Sequence, residues 1–542
     1  MEQLQHILKA KGTLLALMTL ISFASSSLLL ADISEVSTDS GIYGGHESEH
    51  AAGVTVFNGI GFAAPPVRDL RWKPPARAIP HAGVRQADRV GPACWQARNS
   101  DASLYARGNL RRSEDCLYLN VFSNAEGSAD SLPVLVWFHG GSNTAGHGGA
   151  KIFDGSNLAA RGAVVVTANY RLGPMGFMAH AALTAESENN SSGNYGVLDQ
   201  LEVLNWVQTN IANFGGDPDR VTIFGQSAGG TDVCLLMSSP LSEGKIHGVI
   251  GQSPGCIKST RTLADGNNSG HAAGERYARE LGITGSGASA LEQLRDISPQ
   301  QLISTPSGNG PVIDGWLIPN APYDLLESGR QNRIPVMVGG LAEENHGLQS
   351  GSAEISEAEL DEYLSRVFGD DAGRLKAMYQ QELEISPLDA RKYISTDNGF
   401  LLSSRMWGRL VEERGNDAYV YFFNKKPPVF RLYVPANPDL NSDGGQRSLG
   451  AYHSGELAYV FDNLDLVGLG WDEEDRELSE TMADYWVNFA RSGNPNGEGL
   501  PHWPAYDAQA DLVQILDSEV RAAVHPRKER LDALEEIFLR SR

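Results

Sequence analysis

A serine set between glycines is the segment of this chain best suited to nucleophilic chemistry. An apolar run at 221–224 leads into Gly-Gln-Ser-Ala-Gly at 225–229, and small residues with a helical pattern follow. This strand–turn–helix context is what a nucleophile elbow requires. Gly225 and Gly229 lack the side chains that would collide in so tight a turn, which leaves the Ser227 hydroxyl exposed above a sheet. The pattern predicts a nucleophilic serine at position 227.

Activation of such a serine requires a base, and the base must be oriented by a third group. In hydrolases of the elbow type, the acid and then the histidine follow the serine along the chain. An apolar run at 334–338 ends in a loop that carries Glu343 and Glu344, and either carboxylate could be that acid. Three histidines follow this loop at a distance: His453, His502 and His525. Position favours the first of them, because it lies just ahead of a helical stretch.

A second glycine-containing loop could stabilise negative charge. Residues 136–143 read Val-Trp-Phe-His-Gly-Gly-Ser-Asn, which is a strand running into glycines. The oxygen of a tetrahedral intermediate needs hydrogen-bond donors that are already in place, and the loss of one donor typically costs roughly 3–4 kcal/mol. Backbone N–H groups of this loop, together with that of Ala228, would supply such donors.

Short β-like runs alternate with helical patterns along most of the chain. Strands are predicted at 54–60, 117–122, 134–138, 164–168, 221–224, 248–252, 334–338 and 418–423, and a helix at 198–214. This alternation predicts an α/β fold with a mostly parallel sheet and helices on both faces. Helical patterns dominate 354–414, which indicates a cap-like insertion. No linker divides the chain, so we expect residues 32–542 to form a single catalytic domain.

The N-terminus and the net charge bear on location and partners. Lys9 and Lys11 precede an apolar run at 13–24 and then small residues up to Ala31. This predicts a signal peptide over 1–31 and a secreted or periplasmic protein. An uncleaved membrane anchor is the alternative, but the apolar run is short and interrupted by serines, so we expect no stable membrane insertion. The net charge of −23 argues against nucleic acid as a partner. Oligomeric state is left open.

Four cysteines and one acidic segment were weighed as structural or metal sites. Export permits disulfides, and Cys94, Cys116, Cys234 and Cys256 allow three pairings between which the residues alone do not choose. The segment 439–444 copies the first half of a calcium loop, but Gly450 stands at the twelfth position and has no carboxylate. No cluster has the spacing of a zinc site. We expect neither a metal nor a cofactor.

Taken together, these segments resemble the type B carboxylesterases, the cholinesterase-like branch of the α/β-hydrolases. The matching segments cover nearly all of the chain after the N-terminal stretch. They are Phe62-Ala63-Ala64-Pro65-Pro66, Leu70-Arg71-Trp72, residues 113–121, Asn169-Tyr170-Arg171, Gly193-Asn194-Tyr195-Gly196, Leu198-Asp199-Gln200, residues 214–230 and His453.

The resemblance implies an α/β-hydrolase fold and a set of roles. It implies three catalytic side chains: Ser227 as nucleophile, Glu344 as acid and His453 as base. It implies an oxyanion hole formed by three N–H groups, those of Gly141, Ser142 and Ala228. It also implies a disulfide between Cys94 and Cys116, whereas pairing of Cys234 with Cys256 is left open.

This chain departs from the family pattern close to these residues. Relatives usually have a glycine and then an aromatic residue where this chain has Ser142 and Asn143. Gln226 replaces the usual glutamate before the nucleophile, which removes a negative charge near His453. Glu456 keeps the place of a supporting acid behind the histidine. Asn143 would make the wall of the substrate pocket smaller and more polar, which predicts a preference for esters with polar groups near the scissile carbonyl.

The sequence therefore predicts an exported serine esterase that hydrolyses small-molecule carboxylic esters through an acyl-enzyme. Two alternatives were weighed. The same triad could cleave amides, carbamates or bulky polyesters. A non-catalytic, cholinesterase-like binding protein is disfavoured, because serine, acid and histidine are all retained.

Overall fold

An eleven-stranded β-sheet is the main feature of the computed structural model, which describes residues 33–98, 111–259, 261–308, 310–429, 447, 449–467 and 469–542. The strands are β1 (Glu35–Thr38), β2 (Gly41–Gly44), β3 (His46–Glu47), β4 (Thr55–Gly61), β5 (Val84–Gln86), β6 (Ala93–Cys94), β7 (Arg112–Ser113), β8 (Tyr118–Ser123), β9 (Leu132–Phe138), β10 (Val164–Ala168), β11 (Gly216–Gln226), β12 (Gly248–Gln252), β13 (Val336–Leu341), β14 (Ala418–Phe423), β15 (Leu512–Leu516) and β16 (Arg521–Val524).

The order of the large sheet is β16-β15-β14-β13-β12-β11-β9-β10-β8-β4-β3. The strands from β10 to β15 in that order run parallel to one another. Antiparallel strands complete both edges, with β8, β4 and β3 at one edge and β16 at the other. The predicted mostly parallel sheet is confirmed. The carboxyl ends of its central strands meet at one edge, where such sheets place their functional residues.

Helices cover the sheet. They are α1 (Ser156–Ala159), α2 (Gly173–Phe177), α3 (Ala181–Glu186), α4 (Tyr195–Asn210), α5 (Ala228–Met237), α6 (Gly270–Glu280), α7 (Ala288–Asp296), α8 (Pro299–Ser304), α9 (Pro322–Glu327), α10 (Glu344–Leu348), α11 (Glu357–Phe368), α12 (Ala372–Met378), α13 (Gln380–Ile385), α14 (Pro387–Thr396), α15 (Leu402–Glu412), α16 (Leu457–Val460), α17 (Leu464–Val467), α18 (Glu473–Ser492) and α19 (Lys528–Arg540).

Complete burial of the central strands explains their sequence. Every residue of β10, β12, β13 and β14 is buried, so side chains that point to either face are covered. This is why these strands are continuous apolar runs rather than alternating ones. Helix α5 packs on β11 and β12, α15 on β13 and β14, and α18 on β9. The helices α11 to α15 occupy the predicted cap-like insertion.

The helix predicted at 198–214 differs at both ends. It begins at Tyr195 and its α-helical part ends at Asn210, after which a tighter turn, Ile211–Phe214, completes it. Gly215 then stops the helix with a φ of 80°, a conformation in which glycine is favoured. The chain enters β11 directly from this stop.

Both cysteine pairs are disulfide-bonded in the structure. Cys94 is joined to Cys116, the bridge that the family resemblance implied. Cys234, in α5, is joined to Cys256, the pairing that the sequence left open. The second bridge ties the helix after Ser227 to the segment that follows β12.

The predictions about export, membrane insertion and metal binding can be compared with the structure only in part. The predicted signal peptide at 1–31 and the calcium-like segment at 439–444 lie outside the described residues. Within the part of the chain that is described, no helix has the length and apolar character needed to cross a bilayer. The same residues contain no group of three or more His, Cys, Asp or Glu side chains placed to hold a metal ion.

Candidate active site

Ser227 lies at the sharp turn between β11 and α5. Its φ of 59° and ψ of −121° are sparsely populated by residues other than glycine. The flanking glycines make the turn sterically possible: a Cβ on Gly225 would lie 2.5 Å from the Gly229 backbone, and one on Gly229 would lie 2.0 Å from the Phe138 carbonyl oxygen. The Ser227 N–H donates to the Gln252 carbonyl oxygen at 2.9 Å, which fixes the turn to β12. The side chain is left half-exposed.

The structure brings His453 and Glu344 into direct contact. His453 Nδ1 lies 2.5 Å from Glu344 Oε2, and both side chains are buried. The other oxygen of Glu344 accepts from the Ser253 hydroxyl at 2.6 Å and from the Leu341 N–H at 2.9 Å. The ring of Phe400 packs against the imidazole, with centroids 4.9 Å apart. The carboxylate is therefore held at both oxygens, and the imidazole is held by the carboxylate and an aromatic ring.

The neighbouring carboxylate, Glu343, has a different set of partners. Its Oε2 accepts from the Ala451 N–H at 2.8 Å, and its Oε1 accepts from the Tyr393 hydroxyl at 3.1 Å. Backbone pairing between Glu343 and Ala451 adds a further bond of 3.0 Å. Glu343 thus anchors the segment that carries the histidine, whereas Glu344 contacts the histidine itself.

Gln226 lies beside the other imidazole nitrogen. Its Nε2 is 3.4 Å from His453 Nε2, and its Oε1 accepts from the Ser454 hydroxyl at 3.1 Å. Among the described residues, no hydrogen bond joins Ser227 to His453. Such contacts are often long without substrate and tighten only in the complex.

Glu456 is a buried acid behind the elbow. Its Oε1 accepts from Gln252 Nε2 at 3.1 Å, and Gln252 Oε1 accepts from Trp486 Nε1 at 3.3 Å. Burial, reinforced by the charge of Glu344, raises the pKa of Glu456 to about 8. The side chain is therefore mainly protonated at neutral pH, and it supports the residue whose carbonyl oxygen receives the Ser227 N–H.

The loop after β9 presents the predicted oxyanion-hole donors. Gly141, Ser142 and Asn143 have φ values of 102°, 56° and 56°, three consecutive residues in the left-handed half of conformational space. A Cβ on Gly141 would lie 2.2 Å from the Ala145 carbonyl oxygen, so only glycine fits there. Within the described residues, the N–H groups of Gly141, Ser142 and Ala228 have no hydrogen-bond acceptor. These are the three groups that the family resemblance implies as the oxyanion hole.

The Asn143 side chain differs from its predicted place in the substrate pocket. It is only 6% exposed. Its Nδ2 donates to Asp232 Oδ1 at 3.0 Å. Its Oδ1 lies 3.0 Å from the Tyr170 hydroxyl, whose single hydrogen is shared with the His139 carbonyl oxygen at 2.6 Å. Both ends of the amide are engaged inside the protein, so it is not the free polar wall that the sequence predicted. The preference for polar acyl groups stays a prediction, without a free Asn143 amide to support it.

Sequence reasoning missed three side chains in this region. Ser253 holds the acid, Phe400 packs on the imidazole, and Asp232 holds Asn143. The position of Ser253 directly after β12 was a usable signal, because neighbouring strands of a parallel sheet end at the same edge. The sequence around Asp232 and Phe400 contained no such signal, because both residues make their contacts with distant parts of the chain.

Comparison with known proteins places this chain in a family. Residues 32–534 match the profile described as "Carboxylesterase family". The chain belongs to the carboxylesterase family. Members that resemble it include a fumonisin B1 esterase from Sphingopyxis macrogoltabida, 36% identical over 486 residues, which are 88% of this chain and 85% of that protein. Human cocaine esterase is 33% identical over 507 residues, 86% of this chain and 84% of that protein.

Solved structures of carboxylesterases have the same architecture. The chain matches a Geobacillus stearothermophilus carboxylesterase with a TM-score of 0.79 and 30% identity, covering 92% of this chain and 100% of that one. A thermophilic PNB esterase gives a TM-score of 0.78 at 30% identity, covering 92% and 99%. This carboxylesterase-family chain thus has the α/β-hydrolase fold and is a carboxylic ester hydrolase.

Proposed function

We propose that this chain is an exported serine esterase that works through an acyl-enzyme, with Ser227 as nucleophile, His453 as base and Glu344 as the orienting acid. The observation that carries the proposal is the contact of 2.5 Å between His453 Nδ1 and Glu344 Oε2, with both groups buried. This contact keeps the proton on Nδ1, so that Nε2 can accept a proton.

The reaction follows from these assignments. Ser227 Oγ attacks the ester carbonyl carbon as His453 Nε2 takes its proton, and Glu344 stabilises the imidazolium without becoming protonated. The carbonyl oxygen becomes an oxyanion and accepts from the N–H groups of Gly141, Ser142 and Ala228. Collapse breaks the bond to the alcohol, which leaves with the proton from His453. Water then repeats the steps and releases the acid and Ser227.

Gln226 gives this site a neutral neighbour. Its amide faces His453 Nε2 at 3.4 Å, and as a glutamine it adds no negative charge there. An imidazolium is stabilised less by an amide than by a carboxylate, so the Glu344 contact carries most of the charge stabilisation in this mechanism.

The nucleophile is tested by covalent labelling. A fluorophosphonate probe should add to the peptide that contains Ser227, as mass spectrometry of the digest would show. Ser227→Ala should remove the label, keep the melting temperature near that of the wild type and lower kcat by about 10⁴-fold or more on p-nitrophenyl acetate. Label on another serine, or near-wild-type turnover in the variant, would contradict the assignment.

Export is supported by the N-terminal sequence pattern and by the two disulfides, which form in oxidising compartments. Expression in a bacterium with an export pathway should yield activity in the periplasm or the medium. The N-terminus determined by mass spectrometry should then lie near residue 32. An intact N-terminus in cytosolic material with free thiols would argue against export.

A further inference from the structure

Asp232 is a buried carboxylate on α5 to which the proposed reaction gives no role. It has no exposed surface. Its Oδ1 accepts from Asn143 Nδ2 at 3.0 Å and its Oδ2 from Gln200 Nε2 at 2.8 Å. Among the described residues, no lysine, arginine or histidine forms an ion pair with it. Burial raises its pKa to about 7. A buried acid without a cation is costly, and its two amide partners are what hold it in place.

The partner Asn143 has a positive φ of 56°, which follows a φ of 56° at Ser142. Two consecutive non-glycine residues with positive φ are uncommon. Two bonds hold Asn143 in this conformation: the one to Asp232, and one of 2.6 Å from the Gly173 N–H to the Asn143 carbonyl oxygen. The Tyr170 hydroxyl also lies 3.0 Å from Asn143 Oδ1, but its single hydrogen is shared with the His139 carbonyl oxygen at 2.6 Å.

The bond between Asp232 and Asn143 joins the two sides of the oxyanion hole. Ser142, which precedes Asn143, offers its N–H from the loop after β9. Ala228, at the start of the helix that carries Asp232, offers its N–H from the other side. We propose that Asp232 is a positioning residue, which through Asn143 fixes the N–H groups of Gly141 and Ser142 relative to that of Ala228. The inference rests on the proposed function, because it assumes that these donors receive the oxyanion.

The oxyanion exists only during reaction, so a misplaced donor weakens transition-state binding more than substrate binding. Loss of the Asp232 contact should therefore lower kcat and leave KM almost unchanged. A trifluoromethyl ketone, which adds to the serine and places a stable oxyanion in the hole, should lose affinity in proportion to kcat. If Asp232 only supported the core, its replacement would lower Tm, and the loss in kcat would not be matched by a loss in affinity for the ketone.

The experiment compares Asp232→Ala with Asp232→Asn on p-nitrophenyl acetate, with inhibition by the ketone and Tm measured in parallel. Asp232→Ala should lower kcat and ketone affinity by roughly 10- to 100-fold and change KM by less than about 3-fold. Asp232→Asn should keep kcat within about 3-fold. Its side-chain oxygen can still accept from Asn143. Its amide can donate to Gln200 Oε1 after the Gln200 amide turns by 180°, since Gln200 now donates from Nε2 to Asp232 and its Oε1 is buried without a partner among the described residues.

Asn143→Gly tests the same bond from the other end. Glycine adopts positive φ freely, so this variant should fold while it loses the bond, and it should match the kcat loss of Asp232→Ala. The double variant should lose no more than either single one.

Three results would overturn the inference: a fall in Tm with kcat and ketone affinity unchanged, equal losses in Asp232→Asn and Asp232→Ala, or additive losses in the double variant. Failure of the proposed function is distinguishable, because it would appear in the wild type as labelling away from Ser227.

Discussion

The turn at Ser227 and the loop at Gly141–Asn143 form two sides of the proposed active site, and both hold non-glycine residues at positive φ, but they are stabilised in different ways. The Ser227 turn is fixed by backbone alone. Glycines on both sides remove clashes of 2.0–2.5 Å, and the Ser227 N–H bonds to the next strand. The loop also needs a glycine, Gly141, but Asn143, two residues further on, is held by side chains from distant parts of the chain.

This difference predicts how each part responds to substitution. A backbone turn that depends on missing Cβ atoms has no tolerance, because carbonyl oxygens cannot move out of the way. A loop held by a side-chain network can lose one bond and keep the others, so its failure should be partial.

Gly229→Ala should be the most damaging change at the elbow. The added methyl group would lie 2.0 Å from the Phe138 carbonyl oxygen and 2.8 Å from that of His139. We expect kcat to fall by at least about 1,000-fold, with a lower Tm, since the turn and the adjacent loop must both move. Steady-state kinetics and thermal unfolding measure the two effects.

Gly373→Ala is the matched control. This glycine lies in α12, and a Cβ there would meet nothing within 4 Å. Alanine in a helix should stabilise by up to about 1 kcal/mol and leave kcat unchanged. If Gly229→Ala behaved like Gly373→Ala, the account of the elbow as a turn fixed by missing side chains would be wrong.

Glu344→Gln and Glu343→Gln compare two adjacent carboxylates. Glu344→Gln replaces the acceptor of the His453 Nδ1 proton with an amide, which favours the wrong tautomer, and kcat should fall by about 10³- to 10⁴-fold. Glu343→Gln keeps one acceptor for Ala451 or Tyr393 and should change kcat by less than about 10-fold while lowering Tm. Steady-state assays of both variants at pH 7.5 would measure the two kcat values. Reversal of the two effects would place the acid at position 343.

The sequence was informative where a function needs local backbone geometry. The run into Gly225 and the glycine at 229 predict the elbow, and the strand before Glu343 and Glu344 predicts a loop at the correct edge of the sheet. Apolar runs predicted β10, β12 and β14 with the bounds seen in the structure. These features depend on residues close together in the chain, so one sequence displays them.

Long-range side-chain contacts were not predictable in the same way. Asp232 and Asn143 are 89 positions apart in the chain, and no pattern in either segment predicts the bond between them. Asn143 was therefore predicted as a pocket wall, because an amide beside an oxyanion loop looks available to substrate. Only the position of Tyr170 and Asp232 in the folded chain shows that the amide is already engaged.

Glu456 offers the smallest but most specific test, because it is the buried acid behind the Ser227 turn, whereas Asp232 is the buried acid that contacts the loop through Asn143. Its pKa is raised from 4.5 to about 8 in the folded protein, mainly by burial. Between these two values the folded protein keeps a proton that the unfolded chain has released. Stability of the wild type is therefore lost as pH rises through this window, by up to about 1.4 kcal/mol per pH unit.

Glu456→Gln should remove this dependence while keeping an acceptor for Gln252. The Tm of the variant, relative to the wild type, should rise steadily from pH 5 to pH 8 and then level off. Its kcat should stay within about 3-fold of the wild type, because the Ser227 turn is fixed by backbone and not by this acid. Glu519→Gln, at an exposed position, serves as the control and should leave the Tm difference flat. A flat Tm difference for Glu456→Gln would mean that the pKa of Glu456 is not raised in the folded protein. A kcat loss like that expected for Asp232→Ala would mean that the elbow also depends on its buried acid, and the contrast between the two regions would fail.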